Sequence, residues 1–392
     1  MKILLVGTFV PPEEADAYSG ISIAGNQMQR GFLQGFYENG IWVEAISVTP
    51  RAMRLPGRRQ EILFQKSSTE VYEGIPVHKI SYVNLPFVKQ FTIALQLFRK
   101  LKELLNLDAK TEKTVLCVYN SMSYFCIPVF LAARKFRVET CGIIADLPIP
   151  GARSGLLWRL EDQYEKKAIS KFHKLIVLTK HIAQDFAPQV PFTVIEAGID
   201  VQDIGRISKR SVSEQRHIVY TGTLNSLSGM ELLLEVAQHF RGENVVFDIY
   251  GDGEFARALM DAEKEGLPIR YHGSVPHEQA LCAQMDASIL ICPRLPDDFT
   301  TRYTFPSKVL EYISRGKPVI CNRLAGIPDE YERLVYYPTD ASSEAWVALI
   351  RQIFDHYEVC LQEAQAGRDY VKSQKNWKLC TQKALNLLQQ IE

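Results

Sequence analysis

Short runs of aliphatic and β-branched residues recur at 2–7, 42–48, 77–82, 115–119, 141–145, 175–178 and 192–195, with helically spaced stretches between them. A second series occupies 217–220, 245–250, 269–271, 288–292, 318–321 and 335–337. Strands this uniformly apolar are covered on both faces, and their alternation with helices predicts an α/β protein with parallel sheets. Residues 202–215 between the two series are polar and poor in large apolar side chains, as a linker would be. The expected organisation is a Rossmann-like domain at 1–201, the linker at 202–215, a second Rossmann-like domain at 216–372 and a closing segment at 373–392. Two doubly wound domains facing one another imply a cleft at their strand C-terminal edges, where such folds bind ligands.

The most specific stretch is 305–320, Phe-Pro-Ser-Lys-Val-Leu-Glu-Tyr-Ile-Ser-Arg-Gly-Lys-Pro-Val-Ile. It reads as a loop, a short amphipathic helix, a glycine stop and a buried strand. Pro306 suits the first helical turn, where its missing N–H costs nothing, and Gly316 suits the left-handed residue that closes a helix. The amides of that first turn, Ser307 to Val309, with Lys308 beside them, form a place for a diphosphate. One turn on, Glu311 could accept hydrogen bonds from two vicinal hydroxyls, as acidic side chains do for ribose in other doubly wound folds.

Composition narrows the function. With 45 basic against 45 acidic residues in 392, the balance argues against a dedicated nucleic-acid binder. The eight cysteines are scattered without a C-x-x-C pair and read as buried free thiols of a reducing cytosol. The apolar run after Met1-Lys2 is too short for a signal segment, and no run reaches bilayer length, so a cytoplasmic protein is expected. The histidines show no ligand spacing, and His272 reads as a strand residue.

Taken in order, these segments resemble the glycosyltransferases of family 4, a family of GT-B architecture with two Rossmann-like domains. The resemblance covers essentially the whole chain. Ser19-Gly20-Ile21 sits where the family's glycine loop approaches the donor phosphates, followed by a helix from about 23 to 39 that ends at Gly40. For Gly20 alone, a simple turn is the equal alternative. Ile143 to Leu147 matches a strand end that carries a sugar-facing polar residue, here Asp146; capping the next segment is its other reading. Val194 to Asp200 resembles the P-N-G-[VI]-D segment, with Glu196 and Ala197 in place of Pro-Asn. In the second half, Gly222 and Thr223 open the domain, Gly251-Asp252-Gly253-Glu254 is similar to the G-x-G-[PE] turn, and Val275 borders the nucleobase. The 305–318 stretch is similar to the P-S-K-x-x-E-Y donor helix. The resemblance implies that the first domain binds the acceptor and the second the nucleotide-sugar donor, that Glu311 holds the nucleotide ribose, that Ser307, Lys308 and Val309 hold the diphosphate, and that the last helix crosses back to the first domain.

Two departures bear on mechanism. The E-x7-E pair would need its first Glu at Tyr303, and Thr223 and Ser228 replace the Arg and Lys of the usual phosphate clamp. A charge-assisted contact is worth about 1.5–3 kcal/mol, so losing both uncompensated would cost powers of ten in donor use. Lys308, Arg294 and Arg302 are the expected substitutes. The resemblance implies transfer of a sugar from a nucleotide-diphosphate donor to a glycan or lipid-linked glycan acceptor with retention, as in polysaccharide or surface-glycan assembly. Lys308 then stabilises the leaving group and Asp146 contacts sugar or acceptor. Asp297-Asp298 is adjacent and not D-x-D, so no metal or other cofactor is expected.

Two other functions fit the same architecture. A nucleotide-sugar 2-epimerase would need a second carboxylate converging on the sugar, and a non-catalytic binding subunit would account for the missing Arg and Lys. Arg51, Arg54, Arg58 and Arg59 cluster after the second strand, and 87–102 is amphipathic and basic towards its end. Together they either contact anionic lipid or a lipid diphosphate acceptor, placing the protein on the inner face of the membrane, or are a solvated loop and a helix packed on the sheet.

Overall fold

A computed structural model describes residues 1–18, 20–54, 62–86, 88–107, 113–149, 155–200, 215–297 and 299–390. The chain forms two compact units, residues 1–198 with 377–392, and residues 199–376. Residues 202–214, most of the expected linker, lie outside the described residues.

The first unit runs β1 (Lys2–Gly7), α1 (Ile23–Glu38), β2 (Trp42–Ser47), β3 (Phe64–Gln65), β4 (Ser68–Tyr72), β5 (Ile75–Lys79), β6 (Tyr82–Val83) and α2 (Val88–Leu107). It continues with β7 (Thr114–Tyr119), α3 (Ser123–Phe136), β8 (Glu139–Ile144), α4 (Leu156–Ile169), β9 (Lys174–Val177), α5 (Lys180–Phe186) and β10 (Phe192–Val194). The sheet order is β10-β9-β8-β7-β1-β2-β5-β4. Every pairing is parallel except β4 with β5. All six residues of β1 and of β7 are buried, which is why these strands read as unbroken apolar runs. Strand succession runs outward in both directions from the β1/β7 pair, so that pair is the topological switch point.

Two expectations needed correction here. The run at 77–82 is two strands, β5 in the main sheet and β6 in a ribbon with β3. The sheet also gains the antiparallel edge strand β4, whose three polar residues, Ser68, Thr69 and Glu70, and largely exposed surface hid it from an apolar pattern. Its hairpin turns at Glu73 and Gly74, both at positive φ (48° and 84°), as a two-residue turn matched to strand twist requires.

The second unit runs β11 (Arg216–Thr221), α6 (Met230–Gln238), β12 (Val245–Tyr250), α7 (Ala256–Lys264), β13 (Ile269–Gly273) and α8 (His277–Asp286). Then come β14 (Ile289–Cys292), α9 (Thr300–Tyr303), α10 (Ser307–Ile313), β15 (Val319–Cys321), α11 (Ser343–Asp355) and α12 (Tyr357–Gln374). Its sheet is wholly parallel in the order β13-β12-β11-β14-β15, with its switch point between β11 and β14. The run at 335–337 is not a strand; Tyr336 makes only an isolated bridge to Ile320.

The last helix, α13 (Trp377–Gln389), belongs to the first unit and packs on α1. The Trp377 ring lies where a Cβ on Gly31 would stand, 1.9 Å away, which explains a glycine in the middle of a helix that would otherwise favour alanine. Seven of the eight free cysteines are buried as expected; Cys282 on α8 is exposed.

Glu44 on β2 links this packing to pH. It is buried among Lys2 Nζ (3.0 Å), His78 Nε2 (2.9 Å) and Trp42 Nε1 (2.8 Å). Burial pushes its carboxyl up, but the bonds from His78, Trp42 and Lys2 outweigh it and hold the group at about 2, against an ordinary 4.5. As pH falls the unfolded chain takes the proton first. The stabilisation, about 3 kcal/mol, is therefore complete above pH 4.5 and is lost between about 4.5 and 2. Urea unfolding of wild type and Glu44→Gln should show a gap at pH 7 that narrows by about 2 kcal/mol at pH 3. A gap independent of pH would contradict this assignment.

Candidate functional sites

In the second unit, the site grows from the switch point. Tyr312 of α10 is fully buried, and its hydroxyl accepts from Thr221 N (2.8 Å) and donates to Thr221 O (3.1 Å), which moors the helix to the end of β11. Pro306 takes the N-cap position and not the first turn, Ser307 begins the helix, and Gly316 closes it at φ +67°. The amide of Val309 already donates to Pro306 O (2.8 Å), and its side chain lies in the core. That leaves Ser307 and Lys308 to present amides at the helix start.

Glu311 points off this helix into a fixed set of donors. Gln284 Nε2 donates to its Oε1 at 2.6 Å, and Lys308 Nζ lies 3.1 and 3.2 Å from its two oxygens. Gln284 is fully buried on α8; its Nε2 also reaches Thr221 Oγ1 (2.9 Å) and its Oε1 accepts from Arg315 Nε (3.2 Å). Burial pushes the Glu311 carboxyl up, but the Lys308 charge and the bonds from Gln284 and Lys308 outweigh it and hold the group below the ordinary range. The side chain is nonetheless 26% exposed, so an ionised carboxylate in a fixed rotamer remains open to a ligand. Lys308, expected on a phosphate, is thus paired with Glu311 on the neighbouring turn.

The other predicted residues of this unit surround the same strand ends. Gly251 (φ +139°) lies so close to Gly222 that a Cβ there would sit 1.8 Å from the Gly222 carbonyl oxygen, so only glycine lets the two loops meet. Thr223 is exposed, and its carbonyl accepts from Tyr220 Oη (2.8 Å). Ser228 is tied to Asn225 by its amide and its hydroxyl, each at 2.8 Å. Arg294 follows β14 and gives Nη2 to Thr304 Oγ1 (3.2 Å), while its buried Nε has no hydrogen-bond partner among the described residues. Arg302 is on α9 beside the Tyr303 ring (5.8 Å), and Val275 is half-buried in the loop before α8. His272 is 2.8 Å from the buried Asp248, which also contacts His217 (2.6 Å), a bridge across three strands. Asp297 Oδ1 accepts from the Phe299 amide (2.9 Å), the role of a cap; Asp298 lies outside the described residues.

In the first unit, a cavity of about 400 Å³ opens at the other switch point. Its walls come from the residues just beyond β1, β2, β7 and β8 (Thr8, Thr49, Asn120, Asp146), the start of α1 (Ser22, Gly25) and α2 (Lys89). Gly20, Asp146 and Arg51, three residues singled out in the sequence for different reasons, line this one cavity. Asn120 adopts a left-handed backbone (φ 61°), and its Oδ1 accepts from the amides of Ala145 (2.8 Å) and Asp146 (3.0 Å). Its Nδ2 lies 3.4 Å from Asp146 Oδ2. Although Asp146 is exposed as a residue, protein crowds its carboxyl, and that desolvation pushes it above the ordinary range against the pull of Asn120. Arg54 lies on the same loop as Arg51, outside the cavity wall; Arg58 and Arg59 lie outside the described residues.

Gln284, Asn120 and Thr49 escaped the sequence reading. For Asn120 a signal existed, a Tyr-Asn-Ser end to an apolar strand, since asparagine tolerates the left-handed region better than most residues. For Gln284 there was none. Among the described residues no three His, Cys, Asp or Glu side chains cluster as metal ligands would, and no helix is long and apolar enough to cross a membrane.

Residues 215–356, most of the second unit, match the profile of the family described as Glycosyl transferases group 1. No curated protein matches the sequence. Among solved structures the chain is similar to sucrose-phosphate synthase from Thermosynechococcus elongatus, at 13% identity over 99% of this chain and 98% of that one, TM-score 0.69. It is similar to Anabaena Alr3699/HepE in complex with UDP, at 14% identity over 99% of both chains, TM-score 0.68. A glycosyltransferase from Rickettsia africae ESF-5 aligns over 100% of this chain and 99% of that one, at 14% identity and TM-score 0.68. The fold is therefore the GT-B fold of these proteins, with two Rossmann-like units.

Proposed function

We propose that the protein is a retaining glycosyltransferase that moves a sugar from a nucleotide-diphosphate donor to a glycan or glycolipid acceptor, as in surface-polysaccharide assembly. The observation that carries this reading is Glu311: an ionised, partly open carboxylate locked by Gln284 and Lys308 at a switch point, within the segment that matches the glycosyltransferase profile. Such a carboxylate suits two adjacent ribose hydroxyls. The solved HepE complex with UDP and glucose supports the donor class.

Breaking the anomeric C–O bond builds positive charge on the sugar and negative charge on the departing diphosphate. Catalysis then rests on cations and amide donors placed before the reaction begins. In this reading Lys308 turns from Glu311 towards the phosphates when donor binds, Arg294 and Arg302 supply the remaining charge, and no metal ion takes part. Asp146 contacts the sugar or the acceptor hydroxyl.

A non-catalytic nucleotide-binding role has one observation in its favour, because Thr223 and the tethered Ser228 put no charge where the family has two cations. One experiment separates the readings. The protein is screened for thermal stabilisation by UDP-, GDP- and ADP-sugars, and the stabilising donor is followed for release of free nucleotide with and without EDTA. Stabilisation with slow, EDTA-insensitive release supports a transferase. Inversion of the donor sugar would indicate an epimerase, stabilisation without turnover a binding subunit, and no stabilisation by any donor would sink the proposal.

A further inference from the structure

The cavity of the first unit has two chemically different ends. At one is Asp146, the sole acidic side chain in its lining among the described residues, held by Asn120. At the other are Arg51 and Lys89. Arg51 Nε donates to Gln65 Oε1 (3.0 Å) and the guanidinium stacks 4.8 Å from the Tyr18 ring centroid, so the head is fixed before any ligand arrives. Its two terminal nitrogens have no hydrogen-bond partner among the described residues. Lys89 Nζ holds the Arg51 carbonyl at 2.7 Å, which adds positive charge to the same wall. Thr49, two residues before Arg51, is fully buried and lines the cavity, yet its Oγ1 has no partner among the described residues. Buried hydroxyls are normally satisfied, and an unpaired one on a residue that lines a cavity marks a place for a ligand oxygen.

We infer that this cavity binds a sugar carrying an anionic group, phosphate or carboxylate, with the anionic oxygens on Arg51 and Thr49 and a ring hydroxyl on Asp146. A planar guanidinium offers paired donors to either anion, whereas a neutral sugar gains little from it. The volume lies in the range of small-molecule sites and holds a substituted hexose. The inference rests on the reading of this unit as the acceptor side and names the acceptor's class. An anionic oxygen could also come from the nucleotide donor, and the experiment has an arm for that source.

The test is isothermal titration of the full chain, without donor, against glucose, glucose 6-phosphate, glucuronate and UDP, in wild type, Arg51→Gln, Thr49→Val and Asp146→Asn. One of the charged hexoses should bind at least ~10-fold more tightly than glucose, the worth of one charge-assisted pair. Arg51→Gln should remove most of that advantage and leave UDP affinity unchanged. Asp146→Asn should weaken all three hexoses alike. Thr49→Val should weaken the charged hexose while raising the melting temperature of the free protein, because it removes an unpartnered hydroxyl; a purely structural threonine would not give both. Equal affinity for glucose and the charged hexoses, an advantage that survives Arg51→Gln, no hexose binding, or loss of UDP in place of hexose in Arg51→Gln would each overturn the inference. Failure of wild type to bind UDP or any nucleotide sugar would instead strike the transferase reading and leave the hexose result standing.

Discussion

Glu311→Ala is expected to lower donor-dependent turnover at limiting donor about a hundredfold while the chain stays folded. The carboxylate would accept from two ribose hydroxyls, each charge-assisted bond worth about 1.5–3 kcal/mol. Against this stands the Lys308 pair that the free protein already has. With side chains 37% and 26% exposed, that pair is worth no more than about 1 kcal/mol, so exchanging it for the nucleotide costs little. The net loss is about 3 kcal/mol, or roughly two powers of ten. Glu311→Gln keeps one acceptor and should lose about tenfold. Because the carboxyl is held below its ordinary range, it stays ionised at any pH above about 5, and donor affinity should show no acid limb there. Turnover and donor affinity unchanged in the alanine variant, with an unchanged circular dichroism spectrum, would place the nucleotide elsewhere.

Alanine at Lys308, Arg294 and Arg302 together should lower kcat by about a thousandfold, the largest effect expected. With Thr223 and Ser228 uncharged, the proposed leaving diphosphate would meet its counter-charge in these three side chains, on α9, on α10 and in the loop after β14, together with the α10 amides. Three contacts at about 1.5–3 kcal/mol each would sum to more. Neighbours that share a ligand are not additive, and about 4 kcal/mol is a reasonable net. Arg294 is the most telling single position, since its Nε is buried without a partner among the described residues and a buried charge is costly unless something needs it. Single-turnover rates with saturating donor report this directly; rates equal to wild type would remove all three residues from the mechanism.

Much of the fold was legible because it follows from local chemistry. A strand covered on both faces is apolar over most of its length, so β1, β7, β11 and β12 announce themselves despite Lys2, Thr114, the Arg216-His217 start of β11 and the histidine-paired Asp248. The α1 boundaries follow from Ser22, whose hydroxyl caps the Gly25 amide at 3.2 Å, and from Gly40 at φ +75°. The edge strand β4 was not legible. It is half-exposed and paired on one side, so nothing forces its residues to be apolar. The i, i+3 spacing of Lys308 and Glu311 is also in the sequence, where the two read as separate ligand contacts although helix geometry puts them on one face.

By itself, then, the sequence determined the two series of strands, the helix that carries Glu311, and the absence of charge at Thr223 and Ser228, since each is written in neighbouring residues. Only the tertiary structure decided that Gln284 locks Glu311, that Asn120 holds Asp146, and that Arg51 and Asp146, 95 positions apart in sequence, share one cavity with a Thr49 whose hydroxyl has no partner among the described residues. The reason is physical. Periodicity and capping report what a residue does within its own element, whereas hydrogen bonds across strand ends depend on which strands the sheet makes neighbours, and no local pattern encodes that order.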